Sequence, residues 1–115
     1  MVKSRTLKEN KDFRRVYYRG KSEASPSLVT YAAPSRLPYV RVGITSGKKI
    51  GGAVERNRAR RVIRAAFALY EAEIEGCWDI VFVARTRTTE VKMQEVARQM
   101  EAQLKKLGLL SEKSN

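Results

Sequence analysis

The chain has 115 residues, 43% of them hydrophobic, a length suited to one domain around one modest core. It carries 24 Lys plus Arg against 12 Asp plus Glu, a formal charge of +12, well into the range of nucleic-acid binders. One cysteine, Cys77, and no histidine exclude an intrachain disulfide, a thiolate zinc site, Ser-His and Cys-His nucleophile pairs, and a ribonuclease working through paired histidines.

Residues 1 to 5 read as a short basic lead-in, expected to be mobile. The sequence from Met1 to Lys11 is charged throughout and no apolar run approaches membrane-spanning length, so neither a secretory leader nor a membrane span is expected and the protein reads as cytoplasmic. Thr6 to Glu9 fits a capping box and Asn10 is a second candidate cap. A helix follows, with Phe13, Val16 and Tyr17 on one face and Arg14, Arg15 and Arg19 elsewhere, stopped at Gly20. Its aromatics suit either core packing or a stacking surface for unpaired bases.

Residues 28 to 33 alternate as a strand with Val29, Tyr31 and Ala33 on one side, and Pro34 ends it. Residues 39 to 45 alternate again, Val40, Val42 and Ile44 against Arg41, Gly43 and Thr45, and the two runs read as an antiparallel pair. The outline is αβββαβα if residues 21 to 25 count as a further short strand and αββαβα if they do not. The most continuously apolar run, residues 78 to 84 (WDIVFVA), is the candidate central strand, parallel to 39 to 45 across a βαβ crossover. Thr88 or Thr89 caps a last helix whose stripe is Met93, Val96, Ala97, Met100, Leu104 and Leu107, ended by Gly108; residues 109 to 115 are expected to fray. The expected fold is α/β (α+β), a two-layer αβββαβα sandwich with a mostly antiparallel central sheet, in a single RNA-binding domain spanning 1 to 115.

The helix between those two parallel strands carries the functional signal. Seven basic residues lie between Lys48 and Arg64 (Lys48, Lys49, Arg56, Arg58, Arg60, Arg61, Arg64) against one acid, Glu55. Ala59, Val62, Ile63, Ala66, Leu69 and Tyr70 recur at steps of three and four, which makes them the core face. Asn57, Arg60, Arg61 and Arg64 gather opposite, flanked by Arg56 and Arg58. A merely solvated face would interleave Glu with Lys for i,i+4 pairs; this one has none until Glu71. Guanidinium forks grip phosphate oxygens in pairs and stack on bases, so the face suits RNA. A DNA-reading helix would carry more Asn, Gln, Ser or Thr for base edges.

The glycines of GITSGKKIGG miss the P-loop spelling, since three residues separate Gly43 from Gly47 and Lys49 follows Lys48; Gly47, Gly51 and Gly52 still let the backbone approach a phosphate. Asp12, Glu23 and Asp79 are scattered, and Glu71, Glu73 and Glu75 look like a solvated helix end, so no catalytic carboxylate pair is expected. By these residues the chain is a binder.

The run RVGITSGKKIGGAVERNRARRVIRAAF closely resembles the signature segment of the bacterial ribonuclease P protein subunit, through Lys48-Lys49-Ile50-Gly51, Ala53-Val54, Arg56-Asn57-Arg58, Arg61, Arg64 and Phe67. The likeness extends upstream through Asn10, Asp12, Phe13, Val16, Tyr17 and Gly20, and more loosely Tyr31. Gly47 stands where the family often has Ser or another polar residue, and Gly52 where Asn or Lys is common, so no side-chain contact carries over at those two sites. The resemblance implies a left-handed βαβ crossover, opposite to the general rule. It implies a subunit of an endoribonuclease that removes the 5′ leader of precursor tRNA, with the chemistry on a catalytic RNA and Mg²⁺ held mainly by that RNA. On this reading no protein residue is catalytic or metal-binding. Lys48, Lys49, Arg56, Asn57, Arg58, Arg60, Arg61 and Arg64 would dock on the catalytic RNA; Phe13, Arg14, Tyr17, Tyr31 and Arg41 would bind the leader. The partners are the catalytic RNA and precursor tRNA, no membrane, with the protein alone monomeric. The alternative from the residues is a structural RNA binder, ribosomal or chaperone-like, with no role in cleavage.

Overall fold

The structure, a computed structural model, describes residues 4–111. In chain order the elements are β1 (Arg5–Thr6), α1 (Asn10–Arg19), β2 (Lys21–Ser25), β3 (Leu28–Pro34), β4 (Arg41–Thr45), α2 (Ala53–Ala68), β5 (Trp78–Ala84) and α3 (Met93–Leu107), with 3₁₀ turns at Lys48–Ile50, Glu71–Glu73 and Thr86–Thr89. The strands form one sheet in the order β1-β4-β5-β3-β2. β5 takes the centre, as an apolar run on both faces requires: Ile80 and Phe82 are buried on one side and Val81 on the other. β4 and β5 run parallel, Arg41 opposite Asp79 and Ile44 opposite Phe82, as expected across the α2 crossover.

The expected antiparallel pair of residues 28 to 33 with 39 to 45 does not form. β3 pairs antiparallel with β5 instead, Leu28 opposite Ala84 and Ala33 opposite Asp79. The apolar strand inserts between the two because either of them leaves one face less apolar and so suits a flank. A second parallel pair also forms: β1 joins β4, Arg5 opposite Arg41, with Arg5 N–H donating to Val40 O at 2.8 Å and Leu7 N–H to Val42 O at 2.9 Å. Arg5, in the lead-in expected to be mobile, thus pairs into the sheet, and its guanidinium lies 4.0 Å from the Tyr39 ring centroid. At the other end Leu109 and Leu110, in the segment expected to fray, are buried, and Leu109 O accepts from Glu75 N–H at 2.8 Å. The rest of the segments expected to be mobile, 1–3 and 112–115, lies outside the described residues.

α2 and α3 cover one face of the sheet. There Leu28, Ala32, Ile80 and Phe82 meet Ala59, Ile63, Ala66 and Phe67 of α2 and Val96, Met100 and Leu104 of α3. Leu69, expected on the α2 stripe, is exposed; the helix ends at Ala68 and Phe67 takes the core position, 5.4 Å between centroids from Phe82. α1 packs on the opposite face through Val16, with Leu7, Ala33 and Val81. Gly20 follows α1 without the left-handed conformation expected of a helix stop. Glycine is needed there for clearance, because a Cβ would lie 2.4 Å from Val16 O and 2.8 Å from Ala32 O. Gly108 does close α3 in the left-handed conformation. No helix among the described residues is long and apolar enough to cross a membrane.

The start of the last helix also differs. Thr88 caps nothing there; it sits in the preceding turn, fully buried, its hydroxyl donating to Ser27 O at 2.7 Å, and α3 begins only at Met93. α3 holds the β2–β3 hairpin through two buried amides. Gln99 Oε1 accepts from Ser27 N–H and Oγ–H, and Gln103 Oε1 accepts from Thr30 Oγ–H at 2.5 Å while its Nε2 donates to Leu28 O at 2.8 Å. Gln103→Leu keeps the volume but strands Thr30 and Leu28 O, so chemical denaturation should show a stability decrease of about 1 to 3 kcal/mol. An unchanged midpoint would mean that these amides contribute nothing net.

Candidate nucleic-acid interface

α2 is built as its sequence pattern requires, with Ala59, Ile63, Ala66 and Phe67 facing the sheet. The opposite side therefore exposes Asn57, Arg58, Arg60, Arg61 and Arg64, with Arg56 half-buried at the flank. Among the described residues no carboxylate forms an ion pair with any of these arginines. Arg60 alone has a side-chain partner, its Nε–H donating to Ser46 Oγ at 3.0 Å. Lys48 and Lys49 are exposed on the turn before the helix, which reverses at Gly51 with φ +134°. Gly52 at the cap position has no side-chain acceptor to offer the first-turn amides. The result is a cationic helix face with its positive dipole end beside two lysines.

The aromatic residues collect on the α1 side of the sheet. Tyr17 and Tyr31 meet edge-to-face at 4.9 Å between centroids, and Tyr17 is 40% exposed. Phe13 lies directly over Gly43 of β4, where a Cβ would come within 2.4 Å of the ring tip, so glycine there is what lets α1 approach. Arg14 is exposed beside them. The three aromatics share this face because Phe13 and Tyr17 are one helical turn apart, and Tyr31 and Gly43 both point away from α2 in the strand alternation.

Arg41 shares the face but is already engaged. Its Nε and Nη2 donate to Asp79 at 2.9 and 2.8 Å, and its Nη1 reaches Asp12 at 3.3 Å. Arg15 from α1 bonds the same Asp79 carboxylate, which is fully buried. Burial pushes the Asp79 carboxyl up, but the hydrogen bonds from Arg41 and Arg15 outweigh it and hold the group below the usual carboxylate range. The Asp79 hydrogen bond likewise raises the Arg41 guanidinium above its ordinary value despite burial. Along the sequence Asp12 and Asp79 look scattered, and Arg15 has no evident role. The signal that joins them is the cross-strand register of Arg41 with Asp79, readable only once β4 and β5 are paired.

Spacing alone could not show that the two surfaces communicate. A cleft of about 400 Å³ at the β4 edge is lined by Phe13 and Gly43 from the aromatic side and by Arg60, Arg64 and Phe67 from α2. Phe13, expected in the leader groove, thus shares a wall with two arginines expected on the docking face. Among the described residues no group of three or more Cys, Asp or Glu side chains is placed to hold a metal ion.

The chain as a whole has relatives among known proteins. The family model described as Ribonuclease P matches residues 1–108. A ribonuclease P protein component of Alkaliphilus metalliredigens is 36% identical over 111 residues, covering 96% of this chain and 100% of its own. One from Clostridioides difficile is 37% identical over 108 residues, covering 93% and 95%. Among solved structures, the RNase P protein of Staphylococcus aureus superposes with a TM-score of 0.82 at 31% identity, over 95% of this chain and 100% of that one. That of Thermotoga maritima gives 0.74 at 27%, over 84% and 92%. With sequence and fold in agreement, the chain belongs to the family of ribonuclease P protein components, a subunit of that endoribonuclease.

Proposed function

We propose that this subunit docks on the ribonuclease P RNA through the α2 face and holds the 5′ leader of precursor tRNA against Phe13, Tyr17 and Tyr31. The observation that supports it is an arginine row that has no carboxylate partner among the described residues, together with an aromatic groove whose Phe13 shares one cleft with Arg60 and Arg64 and whose tyrosines meet edge-to-face. Phosphates of the catalytic RNA satisfy the arginines and relieve RNA–RNA repulsion, which lowers the Mg²⁺ needed for assembly. Unstacked leader bases lie on the tyrosines, a sequence-tolerant contact because every base has a π-face. The Mg²⁺ of the reaction is assigned to the RNA. Arg14 supplies a leader phosphate contact; Arg41, spent on Asp79, acts by fixing the floor of the groove. The subunit would work in the cytoplasm, monomeric until it meets RNA.

The test is reconstitution with the catalytic RNA and a precursor tRNA at low magnesium, following leader release against RNA alone. Strong stimulation with a correct 5′ end is expected, and RNA binding without stimulation would overturn the reading. In the same assay Tyr17→Ala should weaken precursor binding about tenfold, a stacked base contributing ~1 to 3 kcal/mol, and leave mature tRNA binding unchanged. Equal weakening with both RNAs would remove Tyr17 from the leader site.

A further inference from the structure

The flank of α1 turned away from the aromatic groove faces a second basic cavity. Arg15 and Arg19 are one turn apart, two residues and therefore about 200° around the helix from the Phe13 and Tyr17 stripe. With Arg36 and Arg41 they line a cavity of about 600 Å³ whose apolar wall includes Ala33, Pro34 and Leu37. Arg15 and Arg41 have their charge met by Asp79 and Asp12. Arg19 and Arg36 are exposed, and among the described residues no carboxylate pairs with them. Like charges gathered around one concavity repel unless an anion enters, and a low-dielectric wall focuses their field into it.

The site stands on fixed elements. Asp79, fully buried, orients the Arg15 and Arg41 forks. The loop carrying Arg36 is tied at Ser35, whose N–H donates to Cys77 O at 2.9 Å. Ser35 Oγ accepts from Leu37 N–H at 3.1 Å, so its own hydroxyl proton remains available to a ligand.

We propose that this cavity is a second phosphate site, binding a phosphodiester of an RNA backbone through Arg19, Arg36 and Ser35 beside the Asp79-held arginines. It lies on the other flank of α1 from the leader groove. It rests on the RNA-binding role of the subunit and not on the leader assignment.

The test uses the double variant Arg19→Ser with Arg36→Ser, both exposed and outside the ion-pair network, against a control of equal charge, Lys92→Ser with Lys106→Ser. Affinities are measured as a function of salt for the catalytic RNA, and for precursor and mature tRNA with the reconstituted holoenzyme. The double variant should bind one of these RNAs about tenfold more weakly, with a salt slope shallower by about 0.7 to 0.9 because one phosphate is no longer neutralised. Weakening with the catalytic RNA assigns the phosphate to it, equal weakening with both tRNAs assigns it to the tRNA body, and weakening with precursor alone assigns it to the leader. Unchanged affinity for every RNA, or an equal effect in the lysine control, overturns the proposal. Since Tyr17→Ala reports on the groove separately, the two sites can fail independently.

Discussion

The triple variant Arg58→Ala, Arg61→Ala, Arg64→Ala should bind the catalytic RNA roughly a thousandfold more weakly, at ~1.5 kcal/mol for each charge-assisted hydrogen bond removed. Its plot of log affinity against log salt should flatten by about 2 to 2.7, the contribution of three neutralised phosphates. Folding should not change, because the three side chains are exposed, none is ion-paired among the described residues, and alanine is the better helix former. A circular dichroism melt equal to the parent's, with the flattened slope, identifies the face as the docking surface. A weaker complex with an unchanged salt slope would show that these arginines touch no phosphate. Arg64 also lines the cleft with Phe13, so part of the effect should emerge as weaker leader binding at saturating catalytic RNA.

Asp79→Ala should lower the unfolding free energy by about 3 kcal/mol, the low end for breaking a buried pair, since Arg15 and Arg41 retain some access to water. The substitution leaves Arg41 facing Asp12 alone and releases α1 from its anchor on β5. The same carboxylate makes stability depend on pH. Its folded pKa lies below the ordinary value, so its contribution is complete above the unfolded carboxylate pKa of about 3.9 and is lost as pH falls through the folded value. Acid unfolding of the parent should steepen below about pH 4, and Asp79→Asn, which keeps the shape, should flatten that limb. Identical acid limbs in the two proteins would show that the ion pair does not stabilise the fold.

Much of the site is legible in the sequence because helical spacing is local. The positions Asn57, Arg60, Arg61 and Arg64 opposite Ala59, Ile63 and Ala66 follow from the period of one helix, whatever it packs against. The family signature lies in the same contiguous run. Leu69 escapes the periodic reading because the helix tightens and stops one residue earlier, a choice made by Phe67 packing on Phe82. Arg41 is placed at the leader groove by the family resemblance alone. Its partner within the chain, Asp79, lies 38 residues away and meets it only through strand register.

The charge, the arginine face of α2, the double-faced apolar β5, the α3 stripe and the family are all readable along the chain. All of these are patterns of composition or period carried by single elements. The tertiary structure alone decided that β5 separates β3 from β4, that α1 lies across the far face, and that Tyr17 meets Tyr31. It also decided that Asp79 binds both Arg15 and Arg41, and that Phe13 shares a cleft with Arg60 and Arg64. The physical reason is that strand order and helix docking are selected by burying every apolar face at once, and no single element's pattern encodes that global balance.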